Sequence, residues 1–243
     1  MLNRLVRSSH FAHVHKFVTA EAGLLASIAI TGGLIFAFLR IADWVAEDEI
    51  AVLDQTILMW FRDPTNIDQV IGPVWLHEMV RDITALGSFA LLGLIVVGVC
   101  IYLVMQRLRR EALLVLFSVL GGTLISTVLK MTYNRPRPEL TSMSHQFTAS
   151  FPSGHAMLSA VTFLTLGALL ARLAPTRALR IYCFAAAVFL TLIIGVSRVY
   201  MGVHYPSDVL AGWSVGAAWA LFCSSVAVVL QRWGKVMPTP QGN

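Results

Sequence analysis

Residues 150–171 read SFPSGHAMLSAVTFLTLGALLA, in which a short polar group, Pro152-Ser153-Gly154-His155, stands directly before an apolar run. The run is nearly long enough to cross a bilayer, which takes about 20 mostly apolar residues in a helix. The whole chain shares this character, because 57% of its 243 residues are hydrophobic, 13% are charged and the mean hydropathy is +0.73. A soluble domain needs more charge on its surface. The composition therefore indicates an integral membrane protein.

Five further apolar stretches accompany this run and predict an all-α fold: a single domain over residues 1–243, built as a six-transmembrane-helix bundle. We expect the first span to be retained, because no Ala-x-Ala signal lies near its end. The fourth and fifth spans are short, so we expect their ends to extend into flanking polar residues. Gly212 and Gly216 indicate close packing of the last span. The predicted spans are Ala22–Leu39, Ala85–Met105, Ala112–Leu129, Ala156–Ala171, Leu179–Val196 and Val209–Leu230.

Most basic residues fall in the segments that would share one side of the membrane if the spans alternate. The positive-inside rule makes that side cytoplasmic and places both termini there. The formal net charge of +5 comes mainly from these short clusters, so we expect no nucleic-acid partner. The cytoplasmic basic residues are Arg4, Arg7, Lys16, Arg107, Arg109, Arg110, Arg172, Arg177, Arg180, Arg232 and Lys235.

The long first loop, residues 40–84, falls on the opposite, external side. Two stretches within it, 51–61 and 70–80, mix apolar and polar residues, and we expect short helices lying in the membrane interface. A further hypothesis is that the loop covers the site and selects the headgroup, which deletion of residues 51–61 would test. The loop is rich in acidic residues: Asp43, Glu47, Asp48, Glu49, Asp54, Asp63, Asp68, Glu78 and Asp82.

A few basic residues do not follow the topology pattern, since they lie on the external side near helix ends. Lys130, Arg137 and Arg198 supply fixed positive charges, and the two guanidinium groups fit phosphate oxygens bidentately. Ser153 and Gly154 precede the fourth span, where free backbone N–H groups and the helix dipole favour an anion. Together these residues predict a phosphate-binding site.

Two histidines on the same side add reactive groups to this anion site. His204 is followed four residues later by Asp208, which can hold one ring N–H and leave the other nitrogen free to attack phosphorus. His155 is then the group that protonates the leaving oxygen and later activates water. We therefore predict His204 as nucleophile, His155 as general acid and base, and Asp208 as the residue that orients His204.

These residues, at these spacings, resemble the three-part signature of the type 2 phosphatidic acid phosphatase superfamily. The resemblance implies a metal-independent phosphatase without cofactor, in the bacterial cytoplasmic (inner) membrane, with its site at the periplasmic face. It also implies a lipid phosphate or pyrophosphate substrate, of the phosphatidic acid, phosphatidylglycerol phosphate, undecaprenyl pyrophosphate or lipid A type. The signature spans residues 130–208, with Lys130, Arg137, Pro138, Pro152, Ser153, Gly154, His155, Ser197, Arg198, His204 and Asp208 at its fixed positions.

Other polar and aromatic residues carry weaker signals. Arg135 lies outside the signature and is interpreted as a headgroup contact, and His145 as a solvated loop residue. We predict that Tyr200, Tyr205 and Trp213 are belt or packing aromatics rather than substrate contacts. A histidine cluster near the N-terminus lies on the opposite membrane face from the site, and we do not expect it to bind a metal; its members are His10, His13 and His15.

Three alternatives remain open at this point. A lipid phosphotransferase would share every step up to the phosphohistidine, and a transporter or lipid-binding protein would need the arginines without the two histidines. A metal-dependent phosphatase needs several carboxylates, whereas residues 130–208 contain only Glu139 and Asp208. The lipid tail and the oligomeric state are not specified by these residues.

Overall fold

The protein is mostly helical, with the functional motifs at one end of a helical bundle. A computed structural model describes residues 2–138, 140 and 149–236, with side chains over 21–138, 140 and 149–231. The elements are α1 (Leu2–Ala46), α2 (Ala51–Met59), β1 (Arg62–Asp63), β2 (Asn66–Val70), α3 (Val74–Ala85), α4 (Phe89–Met105), α5 (Arg109–Tyr133), α6 (Gly154–Leu173), α7 (Arg177–Tyr200) and α8 (Pro206–Val236).

Local capping chemistry sets several helix boundaries. Ser88 precedes α4 and its hydroxyl accepts a hydrogen bond from Leu91 N at 3.2 Å, while Thr176 does the same for Leu179 N at the start of α7. Such side-chain caps satisfy backbone N–H groups that have no partner within the helix. Asn134 ends α5 in a left-handed conformation with φ 40°, which asparagine adopts more readily than most residues.

Five of the six predicted apolar stretches lie wholly within helices, and the second, Ala85–Met105, crosses the break at 86–88 between α3 and α4. Among the described residues, five helices are long and apolar enough to cross a membrane, and α3 with α4 makes a sixth candidate, bent by 49° at the break between them. The fourth and fifth spans extend beyond the predicted ends into polar residues, as expected, because α6 and α7 include His155 and Arg198. Helix α1 continues to Ala46, so the first part of the predicted loop is helical.

The first loop contains a small antiparallel sheet in addition to two short helices, which corrects the all-α prediction. Arg62 pairs with Val70 and Asp63 pairs with Asn66. The turn between the strands follows from local side-chain chemistry, because Asp63 Oδ1 accepts hydrogen bonds from Thr65 N at 2.7 Å and from Thr65 Oγ1 at 2.6 Å. Aspartate commonly stabilises a turn in this way. Helix α2 lies within the first stretch in which the sequence predicts a short helix, 51–61, and α3 overlaps the second, 70–80.

Helix α6 occupies the centre of the bundle and packs chiefly against α7 and α8. Glycines permit the close approach of α8. A Cβ atom at Gly212 would lie 2.7 Å from the Ser153 carbonyl oxygen, and one at Gly216 would lie 2.5 Å from that of Met157. The predicted close packing at these two glycines is therefore confirmed. This backbone contact fixes the starts of α6 and α8 relative to each other.

Candidate active site

The ends of α5, α6, α7 and α8 bring the motif residues to one place. Lys130 lies in the last turn of α5, His155 in the first turn of α6, Arg198 in the last turn of α7 and Asp208 in the first turn of α8. His204 lies in the turn between α7 and α8. His155 is close enough to interact electrostatically with four groups, which are Arg198, His204, Arg137 and Lys130. The structure thus assembles the predicted cations and both histidines.

His204 is buried, with its two ring nitrogens facing different partners. Nδ1 lies 3.4 Å from Asp208 Oδ2, and Nε2 lies 3.2 Å from Arg137 Nη1. Because a guanidinium group only donates, Nε2 must act as the acceptor and the proton must be on Nδ1. Burial is the main reason that the pKa of His204 falls to about 4, although Asp208 opposes the shift. The imidazole is therefore neutral at pH 7, with the lone pair of Nε2 directed towards Arg137.

Asp208 is fully buried and accepts hydrogen bonds from several directions. Oδ2 accepts from the hydroxyl of Ser150 and from Tyr205 N, the latter at 2.9 Å, and Oδ1 accepts from Arg135 Nη1 at 2.8 Å. The bond to Tyr205 N has the form of a capping box, in which an acidic side chain reaches back to the residue that precedes its helix. The carboxylate that faces His204 is thus held by the backbone, a hydroxyl and a guanidinium group.

Arg135 is not the headgroup contact that the sequence suggested. Its Nη1 donates to Asp208 and its Nη2 donates to Asp54 Oδ2, each at 2.8 Å, and its guanidinium lies 4.3 Å from the centre of the Tyr205 ring. Although burial favours the neutral form, the carboxylates of Asp208 and Asp54 hold the pKa of Arg135 above its ordinary value. This arginine is therefore part of the buried structure behind the site.

Lys130 and the start of α6 lie side by side. Lys130 Nζ donates to the Ala149 carbonyl oxygen at 2.6 Å, and a Cβ atom at Gly154 would lie 3.5 Å from Lys130 Cε. Ser153 begins α6 and donates its own backbone N–H to the Asp208 carbonyl oxygen at 2.9 Å. The lysine ammonium and the N-terminal end of α6 therefore direct positive charge to the same region.

Arg198 contacts α3 through one of its nitrogens. Nη1 donates to Thr84 Oγ1 at 3.1 Å, and the same hydroxyl oxygen accepts from Ser197 Oγ at 2.9 Å. Arg198 is 4% exposed, and its Nε and Nη2 have no hydrogen-bond partner among the described residues. Two donors of this buried guanidinium remain available for an anion.

His155 packs against the break between α3 and α4. A Cβ atom at Gly87 would lie 3.3 Å from His155 Cδ2. Gly87 in the α3–α4 junction thus lies beside His155, and Thr84 in the last turn of α3 lies beside Arg198. The bent helix pair thus forms one wall of the site.

Several other sequence predictions concern packing or fall outside the described residues. The hydroxyl of Tyr200 donates to the Ile71 carbonyl oxygen at 2.6 Å and Trp213 Nε1 donates to that of Thr191 at 3.1 Å, so both are packing aromatics. No group of three His, Cys, Asp and Glu side chains over 21–138, 140 and 149–231 is arranged to hold a metal ion. The predictions for Glu139 and His145, and for the side chains of His10, His13 and His15, lie outside the described residues.

Sequence reasoning missed four residues that contact this site: Asp54, Thr84, Ser150 and Ser207. Ser207 follows Pro206, a residue that commonly opens a helix, so the sequence signals the start of α8 but not the partner of Ser207. Asp54 is one of many acids in the first loop, and Thr84 and Ser150 are single hydroxyl residues without a pattern around them. Only their positions in the fold distinguish them.

Known proteins resemble this chain in sequence. Residues 111–232 match the model of the PAP2 superfamily. The chain is 33% identical to phosphatidylglycerophosphatase B of Bacillus subtilis over 60% of this chain and 73% of that protein. It is 32% identical to a lipid A 1-phosphatase of Rhizobium johnstonii over 49% of this chain and 47% of that protein.

A solved structure extends the similarity to the fold. It is the crystal structure of a transmembrane PAP2-type phosphatidylglycerolphosphate phosphatase from Bacillus subtilis, which superposes with a TM-score of 0.76 at 26% sequence identity. The match covers 84% of this chain and 98% of the other. The chain therefore belongs to the PAP2 superfamily, the family of membrane phosphatases that the spacing of its motifs predicted.

Proposed function

We propose that this protein hydrolyses the phosphate or pyrophosphate group of a membrane lipid through a phosphohistidine on His204. The observation that carries the proposal is the arrangement of the His204 ring, in which Asp208 lies on the Nδ1 side and Arg137 on the Nε2 side. The nitrogen that would attack phosphorus thus points towards the cations that would bind the phosphoryl oxygens. A protein that only binds lipid phosphates has no need of this arrangement.

The reaction proceeds in two steps. The lone pair of His204 Nε2 attacks phosphorus, the bond from phosphorus to the lipid or phosphate oxygen breaks, and His155 supplies the proton that the leaving oxygen takes up. Water then loses a proton to His155 and attacks the phosphohistidine, which releases inorganic phosphate and regenerates His204. Asp208 accepts the Nδ1–H hydrogen bond and stabilises the positive charge that the ring gains in the first step.

The cations stabilise the transferring phosphoryl group, whose negative charge is spread over three equatorial oxygens. Arg137 is adjacent to Nε2, and Arg198 has two donors without partners in the described structure. Lys130 and the backbone N–H of Gly154 at the start of α6 complete the phosphate-binding set, whereas the N–H of Ser153 is already donated to the Asp208 carbonyl oxygen. This electrostatic contribution is usually the largest in catalysis.

The proposed topology has six spans, with α3 and α4 forming the second as one bent unit and with both termini in the cytoplasm. It rests on the distribution of Lys and Arg and on the length of the apolar helices. The active site then opens on the external, periplasmic face of a bacterial inner membrane. Exposed apolar residues on α2 and α3, including Val52, Leu53, Val74 and Trp75, support the placement of these helices in the membrane interface.

Phosphate release in detergent with EDTA present tests the proposal. The substrates are phosphatidic acid, phosphatidylglycerol phosphate, undecaprenyl pyrophosphate and lipid A, and wild type is compared with His204→Ala. His77→Ala is the matched control, because His77 lies at the same end of the protein and its Nε2 is 3.3 Å from the Ile71 carbonyl oxygen rather than near the cations. We expect release that persists in EDTA, is lost in His204→Ala and is retained in His77→Ala.

Each other outcome contradicts a specific part of the proposal. Release that His204→Ala does not reduce would exclude His204 as the nucleophile. Loss of release in EDTA that added metal restores would exclude the metal-independent mechanism. Transfer of labelled phosphate to a second lipid instead of water would identify a phosphotransferase.

A further inference from the structure

Asp54 differs from the other acids of the first loop because it is buried. It is 1% exposed, although it lies on a short helix of the loop. Leu58, four residues later, is also 1% exposed and packs with Val199 and Val209 of α7 and α8. Residues four apart share one face of a helix. Helix α2 therefore presents one face, carrying Asp54 and Leu58, to the helices that hold the active site.

The Asp54 carboxylate is hydrogen-bonded to the start of α8. Its Oδ1 accepts from Ser207 N at 2.9 Å, and its Oδ2 accepts from the Ser207 hydroxyl. A carboxylate in the first turn of a helix satisfies a free backbone N–H and interacts favourably with the helix dipole. Here the carboxylate comes from a different helix, distant in sequence. Asp54 thus fixes the end of α8 that carries Asp208.

Arg135 joins the two buried carboxylates. It donates to Asp54 and to Asp208 at 2.8 Å each, and its Nη1 also donates to Ser207 Oγ at 2.8 Å. The fork of a guanidinium is rigid, so its partners fix its orientation. Without Asp54, Arg135 would lose the contact that sets its position relative to Asp208. The Asp208 carboxylate faces His204, so the series of contacts ends at the proposed nucleophile.

We infer that Asp54 is a positioning residue for the reaction, holding Asp208 and thereby His204 in place through Arg135 and Ser207. The inference rests on the proposed function of His204. It gives the first loop a role inside the site, beyond the hypothesis that the loop covers it. Deletion of residues 51–61 would remove this contact together with any cover, so single substitutions separate the two roles.

The test compares Asp54→Asn with wild type in the full-length protein. Asp82→Asn is the matched control, since it makes the same chemical change at an exposed position of α3. Turnover of phosphatidylglycerol phosphate and binding of orthovanadate, which mimics the transferring phosphoryl group, are both measured. We expect Asp54→Asn to lower kcat by about 10–100-fold with KM within about twofold, because small displacements of catalytic groups cost about this much. Orthovanadate binding should weaken by a similar factor, and Asp82→Asn should change neither.

A double variant distinguishes positioning from simple loss of fold. Asp54→Asn combined with Arg135→Gln should lose no more activity than the more damaging single change, because both act through one series of contacts. The inference would be overturned if the loss of kcat in the double variant equalled the product of the two single losses. It would also be overturned if Asp54→Asn had normal kcat and normal vanadate affinity. A uniform fall in the folded fraction, with unchanged kcat per folded molecule, would also overturn it.

Failure of the underlying proposal gives a different result. If His204→Ala keeps full activity, the proposed nucleophile is wrong whatever Asp54→Asn does. If His204→Ala is inactive and Asp54→Asn is normal, only the role of Asp54 is wrong.

Ser207→Ala removes a smaller part of the same series of contacts. It should lower kcat less than Asp54→Asn does while leaving KM unchanged.

Discussion

Arg135 and Arg198 are both largely buried at the same end of the bundle, yet their surroundings differ. Arg135 donates to two carboxylates and stacks on Tyr205. Arg198 has one protein acceptor, Thr84, and two nitrogens without a partner among the described residues. A buried charge is costly unless it is paired. The difference indicates that Arg135 stabilises the folded site, whereas Arg198 keeps the two unpartnered nitrogens that its proposed role in binding phosphate requires.

The two sides of His204 differ in the same way. On one side of His204 lie the carboxylates and their donors, which are mutually hydrogen-bonded. On the other side lie cations close to one another, since Arg198, Arg137 and Lys130 all act electrostatically on His155. His204 stands between a neutralised region and a positive one. Substitutions on the two sides should therefore have different consequences.

Arg135→Ala should have the largest effect, and the effect should be on stability. Removing this guanidinium leaves Asp54 and Asp208 buried without their ion-pair partner, which costs about 3–5 kcal/mol in the free energy of unfolding. Thermal unfolding of the purified protein in detergent measures the loss. Arg40→Ala is the control, because Arg40 pairs with Asp43 on the surface, and such exposed pairs contribute less than about 1 kcal/mol. Equal losses of unfolding free energy in Arg135→Ala and Arg40→Ala would contradict the distinction between a buried and an exposed ion pair.

Arg198→Ala should reduce catalysis without reducing stability. We expect kcat/KM to fall by about 10²–10³-fold, the usual effect of removing one donor that stabilises transition-state charge. The melting temperature should not fall, because the substitution removes a buried cation whose donors are only partly satisfied. Arg81→Ala, an exposed arginine of α3, serves as the control. A large drop in melting temperature for Arg198→Ala would place Arg198 with Arg135 as a structural residue.

The smallest of the three expected effects concerns the pH dependence of activity. A nucleophile must be neutral, and burial lowers the pKa of His204 to about 4, so its competent form persists as the pH falls from 7 to 5. Activity should be lost only as the pH falls through about 4. A histidine with the ordinary pKa of about 6.5 would lose about 25-fold over the same interval. The profile of kcat/KM, corrected for the second ionisation of the lipid phosphate, measures the difference. An acid limb near pH 6.5 would contradict the neutral, buried imidazole.

The predictions that succeeded rest on patterns within a short stretch of chain. Each predicted span is a continuous apolar run, and the signature residues at helix ends meet because these helix ends lie at the same end of the bundle. The turn of the hairpin falls between the two stretches, 51–61 and 70–80, whose mixed polarity predicts short helices. It depends on hydrogen bonds between Asp63 and Thr65, which neither stretch contains.

The error over Arg135 has a different physical origin. Its partners Asp54 and Asp208 are 81 and 73 residues away along the chain, so no local pattern marks them. Asp54 was grouped with the other acids of the first loop, since composition treats them alike. Burial distinguishes it, and burial is a property of the folded molecule. The sequence therefore predicts the signature residues that meet at this site better than the residues that hold them in place.

The close backbone contact of α6 and α8 at Gly212 and Gly216 bears on how the protein responds to its lipid surroundings. Membranes differ in thickness, and helices accommodate the mismatch by tilting. Helix α1 packs against α8 but buries only 6% of its most apolar stretch, compared with 50% for α6, so a change of tilt would disturb fewer buried residues of α1 than of α6. His155 and His204 stand at or beside the N-terminal ends of α6 and α8, where Ser153 N–H is bonded to the Asp208 carbonyl oxygen. The spacing of the two histidines is thus set by protein backbone and is insulated from bilayer thickness.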